Sequence, residues 1–442
     1  MITKCIKIAL EYNKNNTINQ KELFNELKDI QYKTYLACNR AITYLYTNDI
    51  QNFIQKDIGI PKEDDKQLYG KSFNAWIENR MNEIMEGCLS TNVAQTRQFV
   101  CNRYKNDKSA GLLKGNVSIS QFKRDIPIII HNKAYSINTN DKGYCVEIGL
   151  FNLPKQKELG IKRILFNIPK LNGNEKATLQ NIMLKTYKQG SAQIEYNSRK
   201  KKWMLTVSFS FDSKPVVVNK DLIMGIDLGI TKVATISIFD SVKNQYLKMN
   251  WKDTCIDGAE LIHYRQKIEA RRKSLSIATK WASDNKIGHG RKTRMKSANQ
   301  IGDKYNRFKD TFNHKISRYI IDLAVKYGVG TIQMEDLSGF SEQQSESLLK
   351  NWSYYDLQNK IKYKAEEKGI DVIFINPKYT SKRCSVCGNI DNANRDCKKD
   401  QANFTCTCCG HHENADINAS KNIAIPYIDK IINEYISNNK ED

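Results

Sequence analysis

The chain lacks the features that place proteins in or across membranes. Its 442 residues contain no apolar run long enough to span a bilayer, no apolar core of a secretory signal peptide and no lipidation motif. Internal repeats and low-complexity tracts are also absent. We therefore expect no membrane partner, and a globular chain of two to four domains.

A disulfide framework is missing as well. The cysteines outside residues 384–409 are scattered along the chain, at Cys5, Cys38, Cys88, Cys101, Cys145 and Cys255. Scattered free thiols are typical of a reducing compartment, so the sequence predicts a cytoplasmic protein.

Acidic residues are scarce relative to basic ones. The chain has 48 Asp and Glu against 70 Lys and Arg, for a net charge of +22. This excess suits a polyanionic partner: nucleic acid is the default and a membrane surface the competing interpretation. Leu261–Arg318, the basic segment, holds sixteen Lys and Arg against four acidic residues. We expect clusters such as Arg271–Lys273 and Arg291–Lys296 to contact phosphates; the alternative is a solvated face.

The first half of the chain predicts a β-rich body with a helical insertion. A strand is expected over Met1–Leu10, helices from Asn19 to about Tyr104, with a cap at Ser90-Thr91, and β segments over residues 117–168. A helix is expected near Asn174–Lys188. Gln193–Tyr196 and Trp203–Phe209 flank a polar turn, which indicates a β-hairpin.

The second half predicts an α/β sheet. Leu222–Ile230 is nearly continuously apolar, as expected for a central strand buried on both faces, and Thr235–Phe239 could pair with it. Strands and helices then alternate, which favours this fold class. The expected elements are a helix over His314–Tyr327, a strand over Gly330–Glu335, a helix over Ser353–Lys368 and a strand over Ile370–Ile375.

Four cysteines near the C-terminus have the spacing of a zinc ribbon. They form Cys384-x2-Cys387-x18-Cys406-x2-Cys409. Each pair supplies two thiolates from one tight turn, and two pairs close a tetrahedral site. The regular gap favours these four thiols as zinc ligands. The neighbouring side chains are expected to be spectators: Cys397, Cys408, His411 and His412.

Three carboxylates occupy positions where acids are normally unwelcome. Asp227 interrupts the apolar strand, Glu335 ends the strand Thr331–Glu335, and Asp416 lies on a helix just after the ribbon. A solvated strand end or a helix cap is the ordinary explanation for any one of them alone. A charge inside an apolar strand is costly, however, and a bound divalent cation is one compensation.

The order of these motifs resembles a known nuclease family. Gly225–Gly229, Gln333–Leu337 and Asn414–Ala419 are similar to the three split motifs of a RuvC-like nuclease domain, with a zinc ribbon inserted before the third. The chain resembles the miniature type V-F CRISPR-associated RNA-guided nucleases and the transposon-encoded nuclease TnpB. Further matching segments are Asn351–Leu357, Thr380–Asn389, Gly288–Arg291 and Lys123–Pro127.

The resemblance implies specific site residues. Asp227, Glu335 and Asp416 would bind Mg²⁺ (or Mn²⁺) and catalyse hydrolysis of DNA strands, with both strands cut in turn at one site. Cys384, Cys387, Cys406 and Cys409 would hold zinc. Arg383 is similar to an arginine that approaches the scissile phosphate in relatives; its alternative is an ordinary surface arginine.

The resemblance also implies a domain plan and partners. The expected fold is a multidomain α+β chain in the prokaryotic cytoplasm. A β-barrel-like wedge (1–18 and 105–218) would carry a helical recognition domain (19–104). An RNase H-like, RuvC-like α/β domain (219–376 and 412–442) would contain the zinc-ribbon insertion (377–411). The expected partners are a guide RNA and a double-stranded target DNA beside a short, often T-rich motif.

Several interpretations remain open on the sequence alone. A type V-F nuclease would act as an asymmetric homodimer on one guide RNA, whereas TnpB would act as a monomer. A nuclease-inactive guided DNA-binding protein is a different class, and the intact acids at all three motif positions count against it. A guide-independent resolvase or transposase of the same fold would cut DNA without any RNA.

Overall fold

The computed structural model describes residues 1–59, 61, 64–141, 143–212, 215–229, 231–281, 296–337, 354–395 and 402–438. The chain forms two compact units, Met1–Asp212 and Ser213–Asp442. No helix within those described ranges is long and apolar enough to cross a bilayer.

The first unit is built on a seven-stranded antiparallel sheet. Its order is β2-β6-β7-β1-β5-β4-β3. The strands are β1 (Ile2–Tyr12), β2 (Ile128–Ile130), β3 (Tyr135–Asn140), β4 (Gly143–Ile148), β5 (Ile164–Asn167), β6 (Lys188–Asn197) and β7 (Lys202–Phe211). β1 pairs with β7 over most of its length and with β5 at its end, so it joins the two halves of the sheet. Within the described residues no pairing closes β2 onto β3, so by its backbone pairing the sheet is open rather than a closed barrel.

Helices fill the interval between β1 and β2, as the sequence predicts. The helices of this unit are α1 (Gln20–Asp57), α2 (Asp65–Tyr69), α3 (Phe73–Ile84), α4 (Ser90–Ser109), α5 (Leu153–Leu159) and α6 (Gly173–Met183). The predicted Ser90-Thr91 cap is wrong, because Leu89 is the N-cap and has no side-chain cap. The backbone N–H of Leu89 instead donates to the Leu150 carbonyl, beside a bridge between Cys88 and Phe151. Tertiary pairing, not a cap, therefore fixes this helix start.

The second unit contains a mixed sheet in the order β10-β9-β8-β12-β13, with β11 paired to β9. The strands are β8 (Asn219–Asp227), β9 (Lys232–Asp240), β10 (Gln245–Tyr246), β11 (Cys255–Asp257), β12 (Val329–Glu335) and β13 (Asp371–Ile375). β8, β12 and β13 run parallel, and β9 is antiparallel to β8. The predicted central strand is confirmed as β8, and it is buried from Ile223 to Ile226. The last residue of the predicted strand, Ile230, lies outside the described residues.

Helices cover this sheet. Among the described residues they are α7 (Trp251–Thr254), α8 (Ala259–Trp281), α9 (Lys296–Lys326), α10 (Tyr354–Lys368), α11 (Ala415–Ala424) and α12 (Ile428–Asn438). The apolar faces of two helices are fully buried, at Ile320 of α9 and at Leu357 and Ile361 of α10. α9 begins 18 residues before the predicted helix. Its charged first half packs against α8, where the rings of Tyr264 and Phe308 stack with centroids 4.0 Å apart.

Candidate active site

Two carboxylates meet at the carboxyl ends of neighbouring parallel strands. Met334 of β12 lies opposite Ile226 of β8, and both are fully buried. The next residue of each strand is an acid, Asp227 and Glu335, at the same edge of the sheet. The carboxyl edge of a sheet is where α/β folds place their ligands. The apolar run of β8 therefore ends at the edge of the sheet where a ligand can bind.

Helix α11 brings the third carboxylate to this edge. Gly225 allows the approach, because a Cβ there would lie 2.3 Å from both the Ala424 nitrogen and the Ser420 carbonyl oxygen. The hydroxyls of Ser237 and Ser420 share a hydrogen bond of 2.7 Å beside this contact. Asp416 lies in the first turn of α11. The close contact between α11 and β8 therefore places Asp416, in the first turn of α11, near Asp227.

Asp227 lies close enough to Glu335 and Asp416 for both charges to affect its protonation. Burial raises the pKa of Asp227 well above its usual value, and the charges of Glu335 and Asp416 raise it further. Burial also raises the pKa of Glu335. Converging carboxylates repel one another, and a divalent cation with oxygen ligands would relieve that repulsion. Three carboxylates are the kind of donor set that a hard metal ion takes, although among the described residues the four ribbon cysteines are the only group of three or more His, Cys, Asp or Glu whose ligand atoms all lie within 4.8 Å of one another.

Arg395 is a member of this centre that the sequence analysis missed. Its Nη2 lies 3.8 Å from a carboxylate oxygen of Asp416. Its positive charge partly offsets the rise in the pKa of both Asp227 and Glu335. The residue lies in the loop between the cysteine pairs. No spacing rule distinguishes it from other loop arginines, so only the folded ribbon reveals its place.

Arg383 lies elsewhere. Its Nη1 donates to the side-chain oxygen of Asn422 at 2.8 Å and to the Cys384 carbonyl at 3.4 Å. Burial lowers the pKa of its guanidinium. The structure thus places Arg383 between the first cysteine pair and α11, where its described contacts are with the ribbon and Asn422 rather than with the carboxylates.

Thr380 donates a hydrogen bond to the carboxylate of Glu335. Its hydroxyl lies 2.5 Å from Glu335 Oε1, and the threonine is 1% exposed. The Thr380 carbonyl in turn accepts a hydrogen bond from Asn422 of α11. Gln358 of α10 donates to the Glu335 carbonyl at 2.6 Å. Glu335 is therefore held at both its side chain and its backbone.

If Glu335 binds a metal ion, as the sequence predicts, we expect Thr380→Val to lower the rate of DNA cleavage about 10–100-fold, because loss of a hydrogen bond that supports a metal ligand typically has that cost. The rate should be measured against Mg²⁺ concentration, and the variant should need more Mg²⁺. Thr380→Ser keeps the hydroxyl and is the matched control. Equal losses in both variants would contradict the role of the hydroxyl.

The four predicted cysteines form one cluster. Their sulfurs all lie within 4.8 Å of one another, with Cys384 and Cys409 at 3.7 Å and Cys387 and Cys406 at 3.5 Å. Zinc–sulfur bonds of about 2.3 Å in a tetrahedron put sulfurs about 3.8 Å apart, so the cluster can hold zinc. Burial would raise the pKa of Cys406, but the backbone N–H groups of Cys409 and Cys408 help to lower it to about 6, which favours the thiolate.

The neighbours of the cluster take other partners. His412 Nδ1 lies 2.9 Å from the Thr405 hydroxyl, and His411 faces Glu413. Cys408 is exposed and is not part of the four-sulfur cluster. Cys397 lies outside the described residues. The strands β14 (Asn403–Thr405) and β15 (His412–Asn414) pair and present the second cysteine turn.

Two buried asparagines of α11 connect the ribbon to the carboxylate centre. Asn418 accepts from the Ser385 N–H and donates to the Arg383 carbonyl, both at 2.9 Å. Asn422 donates to the carbonyls of Thr380 and Arg383. The first cysteine turn and the helix that carries Asp416 are thus one hydrogen-bonded assembly.

The basic segment is partly described. Arg271, Arg272 and Lys273 lie exposed on α8. The cluster at 291–295 and the Gly288–Arg291 motif lie outside the described residues, as do Asn351–Ser353. The exposed cluster on α8 is compatible with phosphate contacts.

Comparison with known proteins decides the family. The chain is 38% identical to a CRISPR-associated endodeoxyribonuclease Cas12f1 of Sulfoacidibacillus thermotolerans, over 95% of this chain and 96% of that protein. The chain belongs to the Cas12f1 family. A second Cas12f1, from Syntrophomonas palmitatica, is 32% identical over 87% of this chain and 81% of its own length. The alternative TnpB is more distant, since a TnpB-like protein of Methanocaldococcus jannaschii is 29% identical over 46% of this chain and 69% of that protein.

Two further comparisons agree with the Cas12f1 assignment. Residues 354–423 match the family model described as Cas12f1-like, TNB domain. That range contains α10, all four clustered cysteines, Thr380, Arg395 and Asp416. A cryo-EM structure of a Cas12f1–sgRNA–target DNA complex shares the fold, with a TM-score of 0.69, 20% identity, and coverage of 96% of this chain and 99% of that one. The suspected type V-F nuclease family is confirmed.

Proposed function

We propose that this chain is the RNA-guided DNA endonuclease of a CRISPR system and that its one catalytic centre is formed by Asp227, Glu335 and Asp416. The observation that carries the proposal is the convergence of these acids in a chain that matches Cas12f1 proteins along nearly its whole length. Base pairing with a guide RNA would supply sequence specificity, and the protein would hold the heteroduplex by its shape and backbone.

The chemistry follows from the residues at the sheet edge. Mg²⁺ held by the three carboxylates would activate water and stabilise the leaving oxygen in phosphodiester hydrolysis. Glu335 is oriented by Thr380 and Gln358, and Asp416 by its place on α11. Arg395 offers a cation beside the carboxylates, where an incoming phosphate carries negative charge. Both DNA strands would be cut in turn at this site.

The proposed domain plan is the one that the sequence predicts. Residues 1–18 and 105–218 would form the wedge, and 19–104 the recognition domain that reads a short motif beside the target. Residues 219–376 and 412–442 would form the RuvC-like domain, and 377–411 the zinc ribbon that guides the DNA strand. The similarity to a Cas12f1 complex with sgRNA and target DNA supports both nucleic-acid partners, and the prokaryotic cytoplasm is the compartment where they meet.

The RNA that copurifies with the protein from its host tests the guided function. Sequencing should give one structured RNA that ends in variable spacers and carries CRISPR repeats. A preparation that cuts DNA without any bound RNA would contradict the proposal. The mass of the RNA-bound complex tests the assembly: two chains per guide RNA are expected, and one chain would favour a TnpB-like arrangement.

We expect Asp227→Asn to raise the melting temperature (Tm) of the protein in Mg²⁺-free buffer that retains zinc. The pKa of Asp227 is raised in the folded state, so above the unfolded-state value its charge disfavours folding. Each kcal/mol of repulsion removed should add about 2–4 °C. The gain should shrink as the pH falls, because the wild-type carboxyl then becomes neutral. Added Mg²⁺ should stabilise the wild type more than the variant; the reverse order would contradict a metal site here.

A further inference from the structure

A cavity of about 310 Å³ is lined by residues of β9, β10, α7 and α11. Ser237 of β9 and Ile417 and Lys421 of α11 line one side of it. Tyr246 of β10, Met249 and Trp251, the first residue of α7, also line it. This size is at the lower end for small-molecule sites in proteins, and it suits one planar ring system.

From the strand register we infer that the cavity lies within one or two nucleotides of the acids. Thr235 is paired with Asp227, and Ser237 follows two residues later on the same face of β9. Two strand residues cover about 6.6 Å, and successive phosphates of one DNA strand rise about 3.4 Å. Ile417 directly follows Asp416 on α11. A strand whose phosphate sits at the carboxylates would therefore pass the cavity mouth.

The lining has the chemistry of a stacking platform. Trp251 is 61% exposed, and the ammonium of Lys232 lies 4.8 Å from its ring centroid. The Tyr246 hydroxyl donates to the Lys421 carbonyl, and burial raises its pKa to about 12, so the ring stays neutral. The Lys421 ammonium pairs with Glu413. Aromatic faces beside cations bind bases of any sequence.

We propose that this cavity holds one nucleobase of the DNA strand being cut, one or two nucleotides from the scissile phosphate. The occupant is a base because the cavity combines aromatic and apolar walls with nearby ammonium groups and adjoins a centre that acts on phosphodiesters. The base contact fixes the register of the strand, so that the phosphate reaches the carboxylates. This inference rests on the proposed function.

The test couples a protein change to a DNA change. Guided complexes cut a series of targets, each with one abasic position in the displaced strand, which does not pair with the guide. The wild type should cut about tenfold more slowly when the abasic position is at one particular nucleotide near the cut. Trp251→Ala should slow about tenfold on intact DNA and lose most of its sensitivity to that abasic position. Trp251→Phe, which keeps a ring, should restore most of the rate.

Tyr427→Ala is the matched control, because Tyr427 is also exposed, at 75%, in the same unit. It should keep the wild-type pattern, and all variants should melt within a degree or two of the wild type. Additive effects of Trp251→Ala and the abasic site at every position would overturn the cavity assignment while leaving guided cleavage intact. Absence of guided cleavage by the wild type would instead overturn the proposed function, and this inference with it.

Discussion

Asp227→Ala should abolish DNA cleavage while leaving guide-dependent target binding intact. The variant removes a carboxylate from the centre of the proposed metal site, where metal-assisted stabilisation amounts to several kcal/mol. A loss of about 4 kcal/mol corresponds to a rate about a thousandfold lower. Cleavage is measured under single turnover with saturating Mg²⁺, and binding by the mobility of the guide–target complex.

Asp371→Ala is the control for this prediction. Asp371 begins β13 at the opposite edge of the same sheet, where it forms an exposed ion pair with Lys220. Such pairs contribute little, so the control should cut at nearly the wild-type rate. Full activity of Asp227→Ala would contradict the catalytic assignment, whereas loss of target binding would show that the variant is misfolded.

Cys387→Ser should release zinc and with it most of the cleavage activity. Structural zinc sites supply the folding free energy of small modules that lack a core of their own. The ribbon holds Arg395 and, through Asn418 and Asn422, the helix of Asp416. We therefore expect about one zinc fewer per chain by elemental analysis and a fall in the cleavage rate of at least about a hundredfold.

Cys408→Ser is the matched change for this second prediction, because Cys408 and Cys387 are both exposed cysteines of the ribbon. It should keep its zinc and its activity. Zinc loss in Cys408→Ser, or full zinc in Cys387→Ser, would show that the ligand set is wrong.

The sequence predicts those strands and helices whose apolar residues form a continuous run or recur along one helix face. The run before Asp227 gives β8, and Leu357, Ile361 and Ala365 give the inward face of α10. It also predicts the four clustered cysteines, because ligand spacing in a tight turn is local geometry. It cannot show the long extension of α9, whose polar residues become helical by packing on α8.

The candidate site likewise contains residues that the sequence predicts and residues that only the folded structure reveals. Asp227 and Glu335 stand out because acids at the ends of apolar strands conflict with their surroundings. Arg395 and Thr380 do not stand out, because their roles arise from where the ribbon and α11 fold. The placement of α11 depends on Gly225, because the absence of a side chain there lets α11 contact β8. Only the folded structure reveals that this position requires glycine.

Guide-programmed cleavage of a plasmid tests the central claim most directly. The plasmid carries one site that matches the guide, beside a randomised flanking motif, and the protein is supplied with its RNA and Mg²⁺. We predict that both strands are cut only when the guide matches, Mg²⁺ is present and Asp227 is intact. Cutting that proceeds without RNA, or regardless of the match, would contradict the account and point to a guide-independent nuclease.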